Sequence, residues 1–98
     1  MDPKKKRIRY SDHLQFRLHL REINSTLPEK IYRSAKEKYY DTATDLLVAV
    51  GAVRYKGTIR DIAVTYREEY NEVLLITIHP LKQHQKENRI QTKRWRKL

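Results

Sequence analysis

Residues 46–80, LLVAVGAVRYKGTIRDIAVTYREEYNEVLLITIHP, decide the predicted fold. Branched apolar side chains dominate residues 46–55, which is typical of a strand, and Gly51 within this strand predicts a β-bulge. Lys56-Gly57 fits a tight hairpin turn, and residues 58–67 then form the returning strand. The chain turns again into a third apolar run. This order predicts an antiparallel meander of three to four strands.

The third run, residues 73–79, is apolar on both faces, as expected of a central strand, and Pro80 ends it. If the alternation is regular, positions 74, 76 and 78 share one face and positions 73, 75, 77 and 79 share the other. A core made from the first of these faces is expected to contain Ile31, Ala35, Ile62, Val64, Leu74, Ile76 and Ile78.

Residues 11–23 precede the meander and fit two kinds of secondary structure. Apolar side chains at every second position from 14 to 20 are typical of a strand. A helix is the favoured prediction, because Ser11 or Asp12 can cap it, apolar residues also recur at helical spacing, and most of the residues are good helix formers.

A second helix is predicted after the turn at Asn24. Thr26 with Glu29 fits a capping box at its start. Its apolar residues recur every four positions, and the helix is expected to end near residues 40–41. The side chains of this stripe are Leu27, Ile31, Ala35 and Tyr39. The predicted fold class is therefore α+β, with two N-terminal helices packed on a twisted antiparallel meander and a basic C-terminal tail.

Charge is concentrated at the two ends of this 98-residue chain, whose net charge is +10. Residues 1–9 contain five basic residues and one acidic residue, residues 82–98 contain seven and one, and residues 10–81 contain ten of each. We predict a basic arm over residues 1–9 and a single domain over residues 10–98. Clustered positive charge favours a nucleic acid as the partner.

Several classes of protein are excluded by composition. The chain has no cysteine, which excludes disulfides, zinc–thiolate sites and thiol nucleophiles. The N-terminus lacks the apolar segment of a secretory signal, and no run of residues is long and apolar enough to cross a membrane. We therefore expect a cytoplasmic protein without a membrane partner. Neither a phosphate-binding glycine loop nor a histidine pair with metal-ligand spacing is present, so no metal or cofactor is predicted.

Two groups of residues are candidates for chemistry. His79 leaves the most apolar strand just before Pro80, where it can exchange protons or can simply cap the strand through a hydrogen bond. His13, Arg17 and Arg21 share one face of the predicted first helix. This face can hold a phosphodiester, because guanidinium groups bind phosphate oxygens in pairs, or it can be a solvated basic surface.

The basic tail supplies further candidates. Trp95 lies among cations, and its ring can stack on an unpaired base or pack against the sheet. The surrounding charges are expected to face a phosphate backbone. The predicted nucleic-acid-binding residues are Arg21, Lys82, Lys86, Arg89, Lys93, Arg94, Trp95, Arg96 and Lys97.

The helix pattern H-x-x-x-R-x-x-x-R, the second helix and the meander ending in I-T-I-H at residues 76–79 resemble the small RelE/ParE-like toxins. In particular, they resemble uncharacterised domains of the barnase–EndoU–colicin–RelE-like group. This resemblance implies a toxin-type endoribonuclease that cleaves RNA without a metal by attack of the ribose 2′-hydroxyl. It also implies an acidic antitoxin as a partner. The implied catalytic residues are His13, Arg17 and His79, with Lys82 or Arg89 as further phosphate binders.

The sequence departs from the resemblance at one point. RelE-type toxins use a C-terminal tyrosine, whereas the last tyrosine here is Tyr70, in a predicted turn, and the tail offers Trp95 instead. Some relatives in this group poison DNA gyrase. A non-catalytic nucleic-acid-binding module and a protein-directed toxin or regulator of the ParE type are therefore the alternative predictions.

Overall fold

Residues 6–98, which the computed structural model describes, form six strands and three helices. In chain order these are β1 (Arg7–Tyr10), α1 (Asp12–Leu20), α2 (Leu27–Ser34), β2 (Glu37–Asp41), β3 (Leu46–Tyr55), β4 (Thr58–Glu68), β5 (Glu72–Pro80), α3 (Gln85–Gln91) and β6 (Trp95–Lys97). Within this range, no helix has the length and apolar character needed to cross a bilayer.

All six strands belong to one mixed sheet with the order β1-β5-β4-β3-β2-β6. β1 runs parallel to β5, and every other neighbouring pair is antiparallel. The prediction of two helices on a three- to four-stranded antiparallel meander is therefore wrong. The meander exists as β3, β4 and β5, but segments predicted as arm, helix and tail add three more strands to it.

The N-terminal arm is one source of the difference. Its residues 7–9 belong to β1, where Ile8 and Tyr10 pair with Val73 and Leu75 of β5. Arg9 also forms an ion pair with Glu72, 3.0 Å away. This strand was not predicted, because it has few apolar residues, lies within a run of cations and pairs with a strand that is distant in the sequence. Residues 1–5 of the predicted arm lie outside the described residues.

The second helix is shorter than predicted. α2 ends at Ser34, and Tyr39 lies in β2 opposite Val48 rather than on the helix. The predicted capping box is also absent from α2, since Thr26 makes no side-chain cap hydrogen bond. Instead, the Tyr10 hydroxyl accepts the N–H of Glu29 at 3.2 Å and so satisfies an otherwise free donor in the first turn.

Two apolar clusters lie on opposite faces of the sheet. The helix-side cluster is formed by Leu14, Leu18, Ile31, Ala49, Ile62, Val64, Tyr66, Val73, Leu75 and Ile78. The other face carries Tyr39, Val48, Val50, Ala63, Leu81 and Trp95. The second cluster explains why the meander is apolar on both sides: the C-terminal segment covers the face that α1 and α2 leave open.

The predicted bulge at Gly51 is wrong, and a bulge occurs elsewhere. Gly51 pairs with Ile62 in regular register, and a Cβ atom there would lie 3.3 Å from Cγ2 of Ile31. This glycine therefore allows α2 to approach β3 closely. The hairpin prediction at Lys56-Gly57 is confirmed, because both residues have the positive φ angles of that turn, 50° and 85°.

The actual irregularity lies in β5. Tyr66 of β4 faces Leu75 and Thr65 faces Thr77, so Ile76 has no partner on β4. The extra residue reverses the alternation, and Val73, Leu75 and Ile78 face the helices, whereas Leu74, Thr77 and His79 do not. The predicted sharing of faces along residues 73–79 is therefore wrong. Leu74 is buried as predicted, but on the other face from Ile78, and Ile76 is only half-buried.

Candidate functional site

Ser11 fastens the start of α1 to the bulge of β5. Its N–H donates to the carbonyl oxygen of Leu75 at 2.9 Å, and its hydroxyl donates to that of Ile76 at 3.1 Å. The same hydroxyl accepts the N–H of Leu14 at 3.0 Å and thus caps the helix. The helix predicted over residues 11–23 is confirmed, and it starts where the pairing between β1 and β5 ends.

A cleft of about 250 Å³ lies between α1 and the end of β5. His13 and Arg17, one helical turn apart, line it from α1, and Thr77, Ile78 and His79 line it from β5. The structure thus brings to one place the three residues that were predicted to be catalytic. It does so although His79 faces away from the helix-side cluster, to which α1 contributes Leu14 and Leu18.

His79 is half-buried, and its pKa lies below the ordinary value of 6.5. Burial is the main cause, since it disfavours the charged imidazolium, and the positive charges of Arg89 and Arg21 add to the effect. The imidazole of His79 is therefore neutral near pH 7. A neutral imidazole has one nitrogen free to accept a proton, as a general base requires.

Ile78 also lines the cleft, although it is only 4% exposed and its side chain belongs to the helix-side cluster. Leu81 lies three residues beyond Ile78 and continues the pairing register of β5. Its N–H donates to the carbonyl oxygen of Asp61 in β4. Inward and outward backbone groups alternate in an antiparallel pair, so the N–H and carbonyl of Ile78 point away from β4. Among residues 6–98, no strand pairs with β5 at this position.

The residues that line the cleft are therefore two histidines, an arginine, Thr77 and Ile78, whose backbone N–H points away from β4. Arg17 and the N–H of Ile78 are donors suited to phosphate oxygens, and His13 and His79 are suited to proton transfer. The sequence analysis missed Thr77 and Ile78. No sequence signal could have identified Ile78, since its role depends on the bulge and on where β1 ends.

The positive charges of Arg89 and Arg21 both act to lower the pKa of His79. Arg21 is the C-cap residue of α1, one turn beyond Arg17. Arg89 is half-buried in α3. Of the predicted nucleic-acid-binding residues, these two are best placed to act together with His79.

Trp95 does not offer its ring to a base, because only 4% of the residue is exposed. The ring stacks on Tyr39 with a centroid distance of 5.4 Å, and its N–H donates to Asp41 at 3.3 Å. Arg94 donates two further hydrogen bonds to the same carboxylate, at 3.0 and 3.2 Å. Both residues thus stabilise β2 against β6, and the ring of Trp95 packs against the sheet, which is the second of the two arrangements predicted for it.

The ammonium group of Lys86 also forms ion pairs within the protein. It lies 3.2 Å from Glu37 and 3.7 Å from Asp61, and these contacts hold α3 to the sheet. Lys82 is exposed and lines a different cavity, of about 560 Å³, together with Lys86 and Arg60. Lys82 is therefore free to bind a phosphate, but outside the cleft.

The last predicted cations lie on the other side of the molecule. Arg96 and Lys97 are exposed on β6, the edge strand opposite β1, and Lys93 is exposed in the turn before β6. The exposed cations of the tail are thus divided between the cavity that Lys82 lines and the β6 edge of the sheet. Over residues 6–98, no three histidine or acidic side chains converge on a metal-binding position.

Comparison of the chain with protein-family models, with curated proteins and with solved structures found no match in any of the three.

Proposed function

We propose that this chain is an endoribonuclease that cuts RNA by general acid–base catalysis in the cleft between α1 and β5. The observation that carries the proposal is that His79 lines one cleft with His13 and Arg17, which are more than 60 residues away along the chain. The net charge of +10 supports a polyanionic substrate. The resemblance to RelE/ParE-like toxins points to the same chemistry.

The geometry suggests a role for each group. Neutral His79 takes the proton from the ribose 2′-hydroxyl, whose oxygen attacks the adjacent phosphorus. His13 gives a proton to the 5′-oxygen as the P–O bond to it breaks. Arg17 and the N–H of Ile78 stabilise the charge on the phosphorane oxygens. The products are a 2′,3′-cyclic phosphate and a 5′-hydroxyl, so no water molecule is consumed in this step.

A cleavage assay on single-stranded RNA tests the proposal. Because both proton transfers are assigned to imidazoles, cleavage should persist in EDTA. Loss of a general acid or base typically slows a reaction by about 100- to 10,000-fold, so His79→Ala and His13→Ala should each slow cleavage within this range. RNA binding should change much less. His19→Ala is the matched control, because His19 lies on the same helix but lines a different cavity.

Two results would count against the proposal. Cleavage that survives in the double variant His13→Ala/His79→Ala would show that the cleft does not catalyse it. Wild-type protein that binds RNA but leaves it intact would favour the non-catalytic binding module. The exposed cations Arg96 and Lys97, far from the cleft, are consistent with that alternative. Identification of the product ends then checks the chemistry independently.

A further inference from the structure

A second cavity, of about 520 Å³, adjoins the catalytic cleft. Its wall includes Arg21 and Pro80. Pro80 directly follows His79, and Arg21 lies one helical turn beyond Arg17, or about 6 Å along the helix axis. The two cavities therefore share both α1 and the end of β5 as walls, and an RNA strand in the cleft can continue into the second cavity.

The charge of this wall suits a phosphate backbone. Arg21, Lys56 and Arg60 line it, with Glu22 as the one carboxylate among its lining residues. Within residues 6–98, none of the three cations forms an ion pair with a carboxylate. One nitrogen of Arg60 donates to the carbonyl of Leu81 at 3.0 Å, which fixes the guanidinium and leaves its other N–H groups for a ligand.

Tyr55 supplies an aromatic surface in the same wall. Its half-buried ring packs against the helix-side cluster, so its position is fixed from behind. Lys56 holds its ammonium group 5.5 Å from the ring centroid. An immobilised aromatic ring among cations is what proteins use to stack an unpaired base, and such stacking tolerates any base.

The position of His79 indicates which nucleotide this is. In the proposed function, on which this inference rests, His79 acts on the 2′-hydroxyl of the nucleotide before the scissile phosphate. His79 lies at the Pro80 end of the cleft, next to the second cavity, whereas His13 lies one turn N-terminal to Arg17. We infer that Tyr55 stacks on the base of the nucleotide immediately 5′ of the scissile phosphate, with Arg21, Lys56 and Arg60 holding the backbone that leads to it.

Binding to an uncleavable RNA tests this inference. The probe is a single-stranded hexanucleotide with every ribose 2′-O-methylated, and the measurement is fluorescence anisotropy. Tyr55→Leu should weaken binding by about 5- to 100-fold, the range for loss of one base–aromatic stack. Tyr55→Phe keeps the ring and should remain within about twofold of wild type. Tyr70→Leu is the matched control, because Tyr70 is 98% exposed in the turn at the other end of β4.

A second substrate locates the base. It carries one ordinary ribose, which fixes the scissile phosphate, among 2′-O-methylated neighbours. Removing the base of that one nucleotide should slow cleavage by wild type but not slow cleavage by Tyr55→Leu any further. Because Tyr55→Leu can also disturb packing, Lys56→Asn gives an independent variant. Asparagine tolerates the positive φ angle of this turn position. The variant should therefore stay folded, bind the RNA more weakly and show a smaller dependence of affinity on salt.

The outcomes separate this inference from the proposed function. If Tyr55→Leu is folded and binds the hexanucleotide as tightly as wild type, the inference is wrong even where cleavage is normal. If binding depends on Tyr55 but wild type never cleaves, base stacking on Tyr55 stands, whereas the ribonuclease proposal and the position of that base relative to a scissile phosphate are overturned. If wild type binds no RNA, both are overturned.

Discussion

Burial lowers the pKa of His79, and Arg89 of α3 brings its positive charge near enough to lower it further. The histidine and the arginine belong to different elements, β5 and α3, which are joined by a short connection. The C-terminal helix thus adjusts the protonation of a residue in the cleft that it does not itself line.

Replacing Arg89 by Gln should therefore raise the pKa of His79 toward 6.5. If His79 acts as a base, the acid limb of the pH–rate profile should move to higher pH by the same amount. NMR titration of the imidazole protons measures the pKa directly. Arg96→Gln removes an equal charge from the far edge of the sheet and should leave both values unchanged.

The lowered pKa of His79 also affects stability. Below about pH 6.5 the unfolded chain binds a proton at His79 more readily than the folded protein does. The stability contributed by the neutral histidine is present above pH 6.5 and is lost as the pH falls toward its lower folded value. Urea titrations at pH 7 and 5 should show a smaller difference for His79→Gln than for wild type. An equal or larger difference would contradict the lowered pKa.

Asp41 should be the most costly polar residue to replace. It is only 3% exposed and accepts hydrogen bonds from Arg94, Trp95 and the N–H of Ala43. Asp41→Ala leaves these donors without a partner at a cost of about 3–5 kcal/mol of unfolding free energy. Asp45→Ala, which affects an exposed carboxylate on the same turn, should cost far less. Equal losses in urea denaturation would contradict the assigned network.

Acid should weaken the same network. Burial acts to raise the pKa of Asp41, but hydrogen bonds from Arg94, Ala43 and Trp95 outweigh it and hold the pKa below 3.8. The stabilisation by ionised Asp41 is present above pH 3.8 and disappears as the pH falls through the lower folded value. Near-ultraviolet circular dichroism of Trp95, the protein's one tryptophan, would report this loss.

Because of the bulge in β5, two neighbouring residues should differ in how much they contribute to the free energy of unfolding. Leu75 is fully buried in the helix-side cluster, whereas Ile76 is half-buried and unpaired in the register of β4. Leu75→Ala should cost about 2–5 kcal/mol, the usual range for a fully buried site. Ile76→Ala should cost clearly less. If thermal or urea unfolding gave the reverse order, β5 would have regular alternation and no bulge at this position.

This bulge marks where sequence analysis stopped being informative. The meander, the Lys56-Gly57 turn and the first helix follow from local patterns and were correctly predicted. One inserted residue in β5 is invisible to those patterns, because every residue from 73 to 76 is apolar. Alternation read from the sequence therefore assigned residues 73–79 to the wrong faces and placed Ile76, which is only half-buried, in the core.

Short strands with distant partners were the other failure. β1 and β6 contain four and three residues, and each pairs with a strand far away in the sequence. β1 does alternate between charged and apolar residues, but four and three residues are too few for such a pattern to stand out. The candidate catalytic residues were chosen because the chain has only four histidines and Arg17 lies one helical turn from His13, but only the fold brings them close to His79.

Salt dependence separates the cleft from the tail. Each phosphate contact with single-stranded RNA contributes about −0.7 to the slope of log affinity against log salt. Arg17→Gln and Arg21→Gln should each reduce the slope by about this amount, because both residues lie along the proposed path. Lys97→Gln should not. A change with Lys97→Gln alone would place the RNA on the β6 edge instead.

The parallel pairing of β1 with β5 has a consequence for how the protein is made. The Ser11 hydroxyl and the Ile76 carbonyl that it contacts are 65 residues apart, so neither β1 nor α1 can take its place before β5 has been synthesised. Contacts this distant form slowly, because closing the intervening loop costs entropy. On a translating ribosome, the cleft is therefore among the last parts of the molecule to assemble, and a nascent chain that ends before β5 has the helix but no site.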